Sequence, residues 1–176
     1  LEANGVHRIA FEDPLPADLV VGDVLGNRTT APRVEILRST ACNSRARGFL
    51  LQSRDVRVED CTFDHCIGGG ISIISELASF GESITSRDVV VRRNRFIEVN
   101  LRPGSTFGVV GIPVFLEDYK FPKQPGVHRN IRIEDNVIQG SAVAAVFAAG
   151  VDGLRIAGNT VSDVCRAPVR DGEREA

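Results

Sequence analysis

Two polar stretches, Ser75–Asp88 (SELASFGESITSRD) and Leu116–Arg129 (LEDYKFPKQPGVHR), hold the side chains with most chemistry to offer. Between them lie Glu76, Phe80, Glu82, Glu117, Asp118, Tyr119, Lys120, Phe121 and His128. Two carboxyl groups flanking a glycosidic bond can serve as proton donor and base, and aromatic faces pack against sugar rings. Glu76, Glu82 and Glu117 are therefore the candidate catalytic acids, with Phe80, Asp118 and Tyr119 as candidate substrate contacts. An inverting reaction would hold two carboxyls about 6.5–9.5 Å apart, leaving room for a water. The plain alternative is that loops are polar in any case, and 23 Asp and Glu in 176 residues put acids on most surfaces.

Three further groups are candidates. Arg45 and Arg47 alternate around Ala46 and would share one face of an extended segment. There Arg47 can clamp a sugar hydroxyl or a carboxylate, or pair with an acid of a neighbouring segment such as Asp64. Asp64-His65 offers ligand contacts or a structural hydrogen bond. His128, just before Arg129-Asn130, is placed to close a loop. Gly68-Gly69-Gly70 has the composition of a phosphate cradle but no helix pattern follows it, so it reads as a tight corner.

What positions these groups is a repeat. Five stretches beginning at Val34, Val56, Val89, Ile131 and Leu154 align, with Ser39, Cys61, Asn94, Asn136 and Asn159 in one column and Ala41, Phe63, Phe96, Ile138 and Val161 in another. The starts are 22, 33, 42 and 23 residues apart, so two units carry extra segments. Apolar and polar residues alternate within each unit, as strands require. Further alternating runs follow at Phe49-Leu50-Leu51, Ile71-Ser72-Ile73 and Val143–Val146. Units too small to bury a core alone, with no helix-length apolar stripe, predict an all-β, right-handed parallel β-helix of about five coils, a single domain over 1–176 with long loops at 75–88 and 116–130 and a shorter insertion at Leu101–Thr106. Asn at a bend tolerates left-handed backbone, and stacked amides can bond from coil to coil at the ~4.8 Å strand spacing. The asparagine ladder is expected over the last three coils only.

Composition narrows the partners. A net charge of −2 gives no footprint for nucleic acid or an anionic membrane. Apolar runs stay below the ~18–20 residues of a membrane span. Cys42, Cys61, Cys66 and Cys165 match no zinc spacing and fall in different columns, so they are expected to be buried thiols, with no metal or cofactor implied. The chain starts Leu-Glu, lacks Met and shows no signal peptide, which reads as an excised piece. The Pro-rich start (Asp13-Pro14, Leu15-Pro16) and charged tail (Arg170–Ala176) are expected to cover the coil ends; uncovered ends would favour homo-oligomers.

Several runs carry a family resemblance: PLPADLVVGDVLGN (Pro14–Asn27), NSRARGFLLQS (Asn43–Ser53), VRVEDCTFDHCIGGGISI (Val56–Ile73), HRNIRIEDNV (His128–Val137) and VDGLRIAGNTV (Val151–Val161). They resemble the later part of glycoside hydrolase family 110 α-galactosidases, RARG before a short apolar strand being the sharpest element. The resemblance implies a bacterial, secreted enzyme, extracellular or periplasmic, on a parallel β-helix. It would release terminal α-1,3-linked galactose with inversion and without a cofactor. Where the family tends to show Asp, Trp and Glu-Ser, this chain has Glu76, Phe80 and Glu82-Ser83; Glu117 falls where the family has a Glu. Two other readings compete: a non-catalytic carbohydrate-binding or structural β-helix diverged from such an enzyme, and a pectate-lyase-like lyase. The lyase would need Asp clustered for calcium, and no strand face here clusters Asp.

Overall fold

The structure, a computed structural model, describes residues 7–21, 23, 25–27, 29–76, 85–102, 105, 107–115 and 125–166. These residues form short strands joined by turns, with no helix among them. The first repeat contains β1 (Val34–Leu37), β2 (Thr40–Cys42) and β3 (Phe49–Leu51). The second contains β4 (Arg54–Glu59), β5 (Thr62–Asp64), β6 (Ile71–Ile73) and β7 (Ser75–Glu76). The third contains β8 (Arg87–Arg92), β9 (Arg95–Ile97), β10 (Val110–Ile112) and β11 (Val114–Phe115). The fourth contains β12 (His128–Glu134), β13 (Val137–Gln139) and β14 (Val146–Ala148), and the fifth β15 (Val151–Ala157) and β16 (Thr160–Ser162).

Equivalent strands of successive repeats pair side by side. The first sheet runs β1-β4-β8-β12-β15, the second β16-β13-β9-β5-β2, the third β14-β10-β6-β3 and the fourth β11-β7. Every pairing is parallel, and the register is the one the aligned columns predict: Val34 against Val56, Val56 against Val89, Val89 against Ile131, Ile131 against Leu154. One column of inward residues therefore becomes one row of the core. Val56, Val58, Phe63, Ile71, Ile73, Val89, Val91, Phe96, Ile131 and Ile133 are fully buried, each contributing about 1.5–3 kcal/mol of hydrophobic stabilisation. Phe63 and Phe96 stack ring on ring at 4.6 Å and 7°, and Phe49 meets Phe63 edge-on at 5.3 Å.

The ladder forms as a chain of amides. Asn94 Nδ2 donates to Asn136 Oδ1 at 3.0 Å, and Asn136 Nδ2 to Asn159 Oδ1 at 2.9 Å. Each Oδ1 also accepts a backbone N–H from the repeat before it: Cys61 to Asn94, Asn94 to Asn136, Asn136 to Asn159. The Cys61 thiol continues the row in weaker form, accepting from the Ser39 N–H at 3.5 Å. The left-handed residue is not the asparagine but its predecessor. Arg38, Asp60, Arg93, Asp135 and Gly158 all have φ between 48° and 67°. This backbone kink turns the chain between sheets, and the amide that follows is left free to bond upward and downward.

Several expectations need correction. Ser75-Glu76 and Val114-Phe115 pair as an extra sheet, Arg87-Asp88 starts β8 and His128-Arg129 starts β12, so the long loops at 75–88 and 116–130 are shorter than their polar composition suggests. Inward-facing Ser75, fully buried, and Val114 extend the wall in the two longest repeats. The alanine-rich run at 143–146 does not mark its strand, which begins at Val146 because Val110 sets the register. Cys61 and Cys66 are buried free thiols, whereas Cys42 and Cys165 are exposed, because Cys42 points outward from β2 and Cys165 lies beyond the last strand. The Pro-rich start does not cover the first repeat. Ile9, Phe11, Leu15 and Val20 are exposed, and Val34 and Ile36 stay partly open. The tail at 170–176 lies outside the described residues.

Candidate functional site

The outer surface of the third sheet supplies a floor and walls. Strand alternation sends Phe49, Ile71 and Val110 inward, so the outward row reads Leu50, Ser72, Gly111 and Phe147. Small residues in the middle of that row leave a trough, and the residue after the third insertion lies over it. Phe107 closes this insertion, and its Cβ lies 3.4 Å from where a Gly111 Cβ would stand. The Phe107 ring meets Phe115 edge-on at 5.6 Å and Phe147 at 6.4 Å.

Asn100 holds the chain that follows that insertion in place. Fully buried, its Nδ2 donates to the carbonyls of Phe107 at 2.7 Å and Gly108 at 3.1 Å. Sequence reading missed both Asn100 and Phe107. An insertion has no counterpart in the other repeats, so no column flags them; the Asn at φ 58° before the insertion was the one available signal.

Glu76 ends β7 and pairs in register with Phe115 of the next repeat. Strand alternation turns Ser75 inward and Glu76 outward, onto the ledge that carries Phe115 and Phe107. Glu76 is the one candidate acid among the described residues. Glu82, Glu117, Phe80, Asp118 and Tyr119 lie outside them, although Glu117 follows Phe115 by only two positions in sequence.

The roots of both long loops meet at one side chain. His128, fully buried, accepts the Ser86 N–H on Nδ1 at 3.0 Å and places Nε2 3.4 Å from the Pro113 carbonyl. Only a neutral ring protonated on Nε2 fits both partners. Burial holds the imidazole below its ordinary value, outweighing the backbone contacts. Ser86 precedes β8, Pro113 precedes β11 and His128 opens β12. One imidazole therefore fixes where the first loop ends, where the second begins, and where it returns. It is a loop pin, more than the closing residue its position suggests.

Other candidates fall elsewhere. Arg45 and Arg47 line one cleft, but on a bent segment whose Ala46 lines it too rather than on an extended strand, and the cleft also contains Arg102 and Phe107 rather than Glu76. From Gly70, level with that cleft, to Glu76 is six residues, about 20 Å if the strand ran straight. Asp64 does not pair with Arg47. Its carboxylate sits 2.5 Å from His65 Nδ1, and both side chains are half exposed on the corner after β5. The triple glycine is a steric corner: a Cβ on Gly70 would stand 2.6 Å from the Phe96 ring, so only glycine lets the backbone close over the phenyl stack. Among the described residues no group of three His, Cys, Asp or Glu is arranged to hold a metal ion. No helix there is long and apolar enough to cross a membrane.

No family model matches the chain. Against individual curated proteins it is 34% identical over 155 residues to alpha-1,3-galactosidase B of Akkermansia muciniphila, covering 87% of this chain and 19% of that protein. It is 32% identical over 163 residues to alpha-1,3-galactosidase B of Phocaeicola vulgatus, covering 87% and 27%. With alpha-1,3-galactosidase A of Bacteroides fragilis the identity is 28% over 172 residues, covering 97% and 28%. The chain thus spans between a fifth and just over a quarter of the length of these relatives.

Proposed function

From a chain that is kin to α-1,3-galactosidases over most of its own length, bearing out the family resemblance carried by its motifs, we propose a part in an exo-acting glycoside hydrolase. The repeats wind as a right-handed parallel β-helix, and the protein works outside the cytoplasm on terminal α-linked galactose. Two of Glu76, Glu82 and Glu117 act as proton donor and base in an inverting displacement, the base activating a water on the face opposite the leaving group. Phe80, Asp118, Tyr119, Arg47, Asp64 and His65 are the remaining candidate sugar contacts. The observation carrying this reading is the placement of Glu76 on an outer ledge beside Phe115 and Phe107, at the mouth of both long loops. A part-exposed carboxylate beside the half-buried Phe107, at the end of a row whose small residues are Ser72 and Gly111, is a surface on which a pyranose ring can rest.

Hydrolysis of a terminal α-1,3-linked galactoside, followed by proton NMR, tests the proposal. We expect β-galactose as the first product, and losses of at least about a hundredfold for Glu76→Gln and Glu117→Gln if these are the acid and base. Equal rates for the unsubstituted chain and for the Glu76→Gln and Glu117→Gln variants would refute the assignment. Calcium-dependent release of an unsaturated product would replace hydrolysis by a lyase reaction.

A further inference from the structure

The frame has two ends, and each presents half of a contact that is repeated inside it. At the start, β1 and β2 are free edges of the first and second sheets; at the finish, β15 and β16 are. Leu154, Ile156 and Val161 stand in the inward columns, in register with the buried Ile131, Ile133 and Ile138. With no strand beyond them among the described residues, they are 37%, 52% and 46% exposed. Val34, Ile36 and Ala41 hold the same columns at the other end and are also partly open. A strand edge with an apolar face is a template for another strand.

Charge and hydrogen bonding say what fits there. On the outer face of the first sheet one column runs Glu35, Arg57, Val90, Arg132, Arg155. It opens on a carboxylate and closes on a guanidinium, both well exposed. The ladder has a direction too. Ser39, Cys61, Asn94 and Asn136 each donate a backbone N–H to the side chain in the following repeat, and Asn159 has no following repeat among the described residues. Ser39 Oγ donates to the Leu37 carbonyl and keeps lone pairs with which to accept. We propose that the two ends dock on each other in different molecules, a second copy of this chain seating its first repeat on the fifth as a sixth turn. Val34, Ile36 and Ala41 of that copy cover Leu154, Ile156 and Val161, its Glu35 faces Arg155, and its Ser39 Oγ takes the Asn159 N–H. Joining like ends would instead run the strands antiparallel, stop the asparagine row, and put Glu35 on both sides of the seam or Arg155 on both. The contact is head-to-tail and runs along the axis of winding, so copies add in line rather than closing as a pair. The seam lies in the first two sheets, since the fifth repeat has no strand in the third among the described residues.

Sedimentation velocity of the full chain over about a hundredfold range of concentration tests this. The mean mass should rise with concentration and pass two chains without levelling. Ile156→Lys puts a charge on the seam at a position half exposed in the single molecule, so it should fold as the parent does, which circular dichroism checks, and stay a single chain. Added to the parent, it should shorten the stacks, because its intact first repeat still caps a fifth. Glu35→Arg and Arg155→Glu should each weaken association about three- to tenfold, and an equal mixture of the two should recover it. A single chain at every concentration overturns the proposal and leaves the two ends to other polypeptide. A mass that levels at two chains marks like ends joined and overturns it as well. So do association that Ile156→Lys leaves unchanged and a mixture that associates no better than its parts.

Discussion

Replacing His128 probes how the loop roots are held. His128→Phe keeps a ring of similar bulk but leaves the Ser86 N–H and the Pro113 carbonyl without their partners in a buried setting. Each orphaned group costs about 1–3 kcal/mol, and the longer 3.4 Å contact to Pro113 belongs at the low end, so we expect a loss of about 2–4 kcal/mol. His128→Asn can still accept from Ser86 through Oδ1 and should lose less. The two variants also differ in their response to acid. Because burial lowers the folded imidazole's pKa below its unfolded value, the contribution is complete above about pH 6.5 and is lost as pH falls through the folded value. Protonation would set an Nδ1–H against the Ser86 N–H, two donors facing each other. Urea denaturation between pH 8 and pH 5 should therefore show a decline for the parent that flattens in both variants. A His128→Phe loss below about 1 kcal/mol, or an acid decline unchanged in His128→Asn, would refute the idea that a neutral imidazole ties the two loops to the frame.

The ladder and the glycine corner give further tests, all readable by denaturation. Asn136→Ala removes bonds to Asn94, Val91 and Asn159 together and should cost about 2–4 kcal/mol, more than Asn159→Ala at the end of the row; equal losses would deny the coupling. Gly70→Ala forces a methyl against the Phe96 ring and should destabilise by about 1–3 kcal/mol, with Phe96→Leu relieving part of it. The Glu59 carboxyl is pushed up by burial, but the guanidiniums of Arg57, Arg93 and Arg92 outweigh that, and Arg132 leads the lowering at Glu134. Both contributions are present above the ordinary carboxylate range and lost as pH falls through the lowered folded values. Glu59→Gln should accordingly shift the acid midpoint of unfolding, and an unmoved midpoint would deny the pairing.

The frame was legible because its determinants recur. A valine or isoleucine at each repeat start and a polar residue five positions on can be aligned by eye, and parallel strands in register turn alignment into contact. The asparagine row followed for the same reason. The left-handed residue did not, since Arg38, Asp60, Arg93 and Asp135 share a backbone angle rather than a side-chain type. β14 was misplaced because alanines offer no alternation between large and small. What positions the candidate site was harder still. Phe107 acts through a trough created by Gly111 on a strand of the same repeat, and His128 through residues 15 and 42 positions away. Such pairings belong to single inserted segments, and no repetition within the chain announces them.

Val56, Val89 and Ile131 stand in line although 33 and then 42 residues separate them. Length added at the turn back to the first sheet is invisible to the packed interior. The frame behaves like a rack with exchangeable attachments, each bolted at two strand ends. Segments there can be lengthened, shortened or traded without re-indexing a single strand, so binding preference can be redrawn while the shape beneath it stays the same.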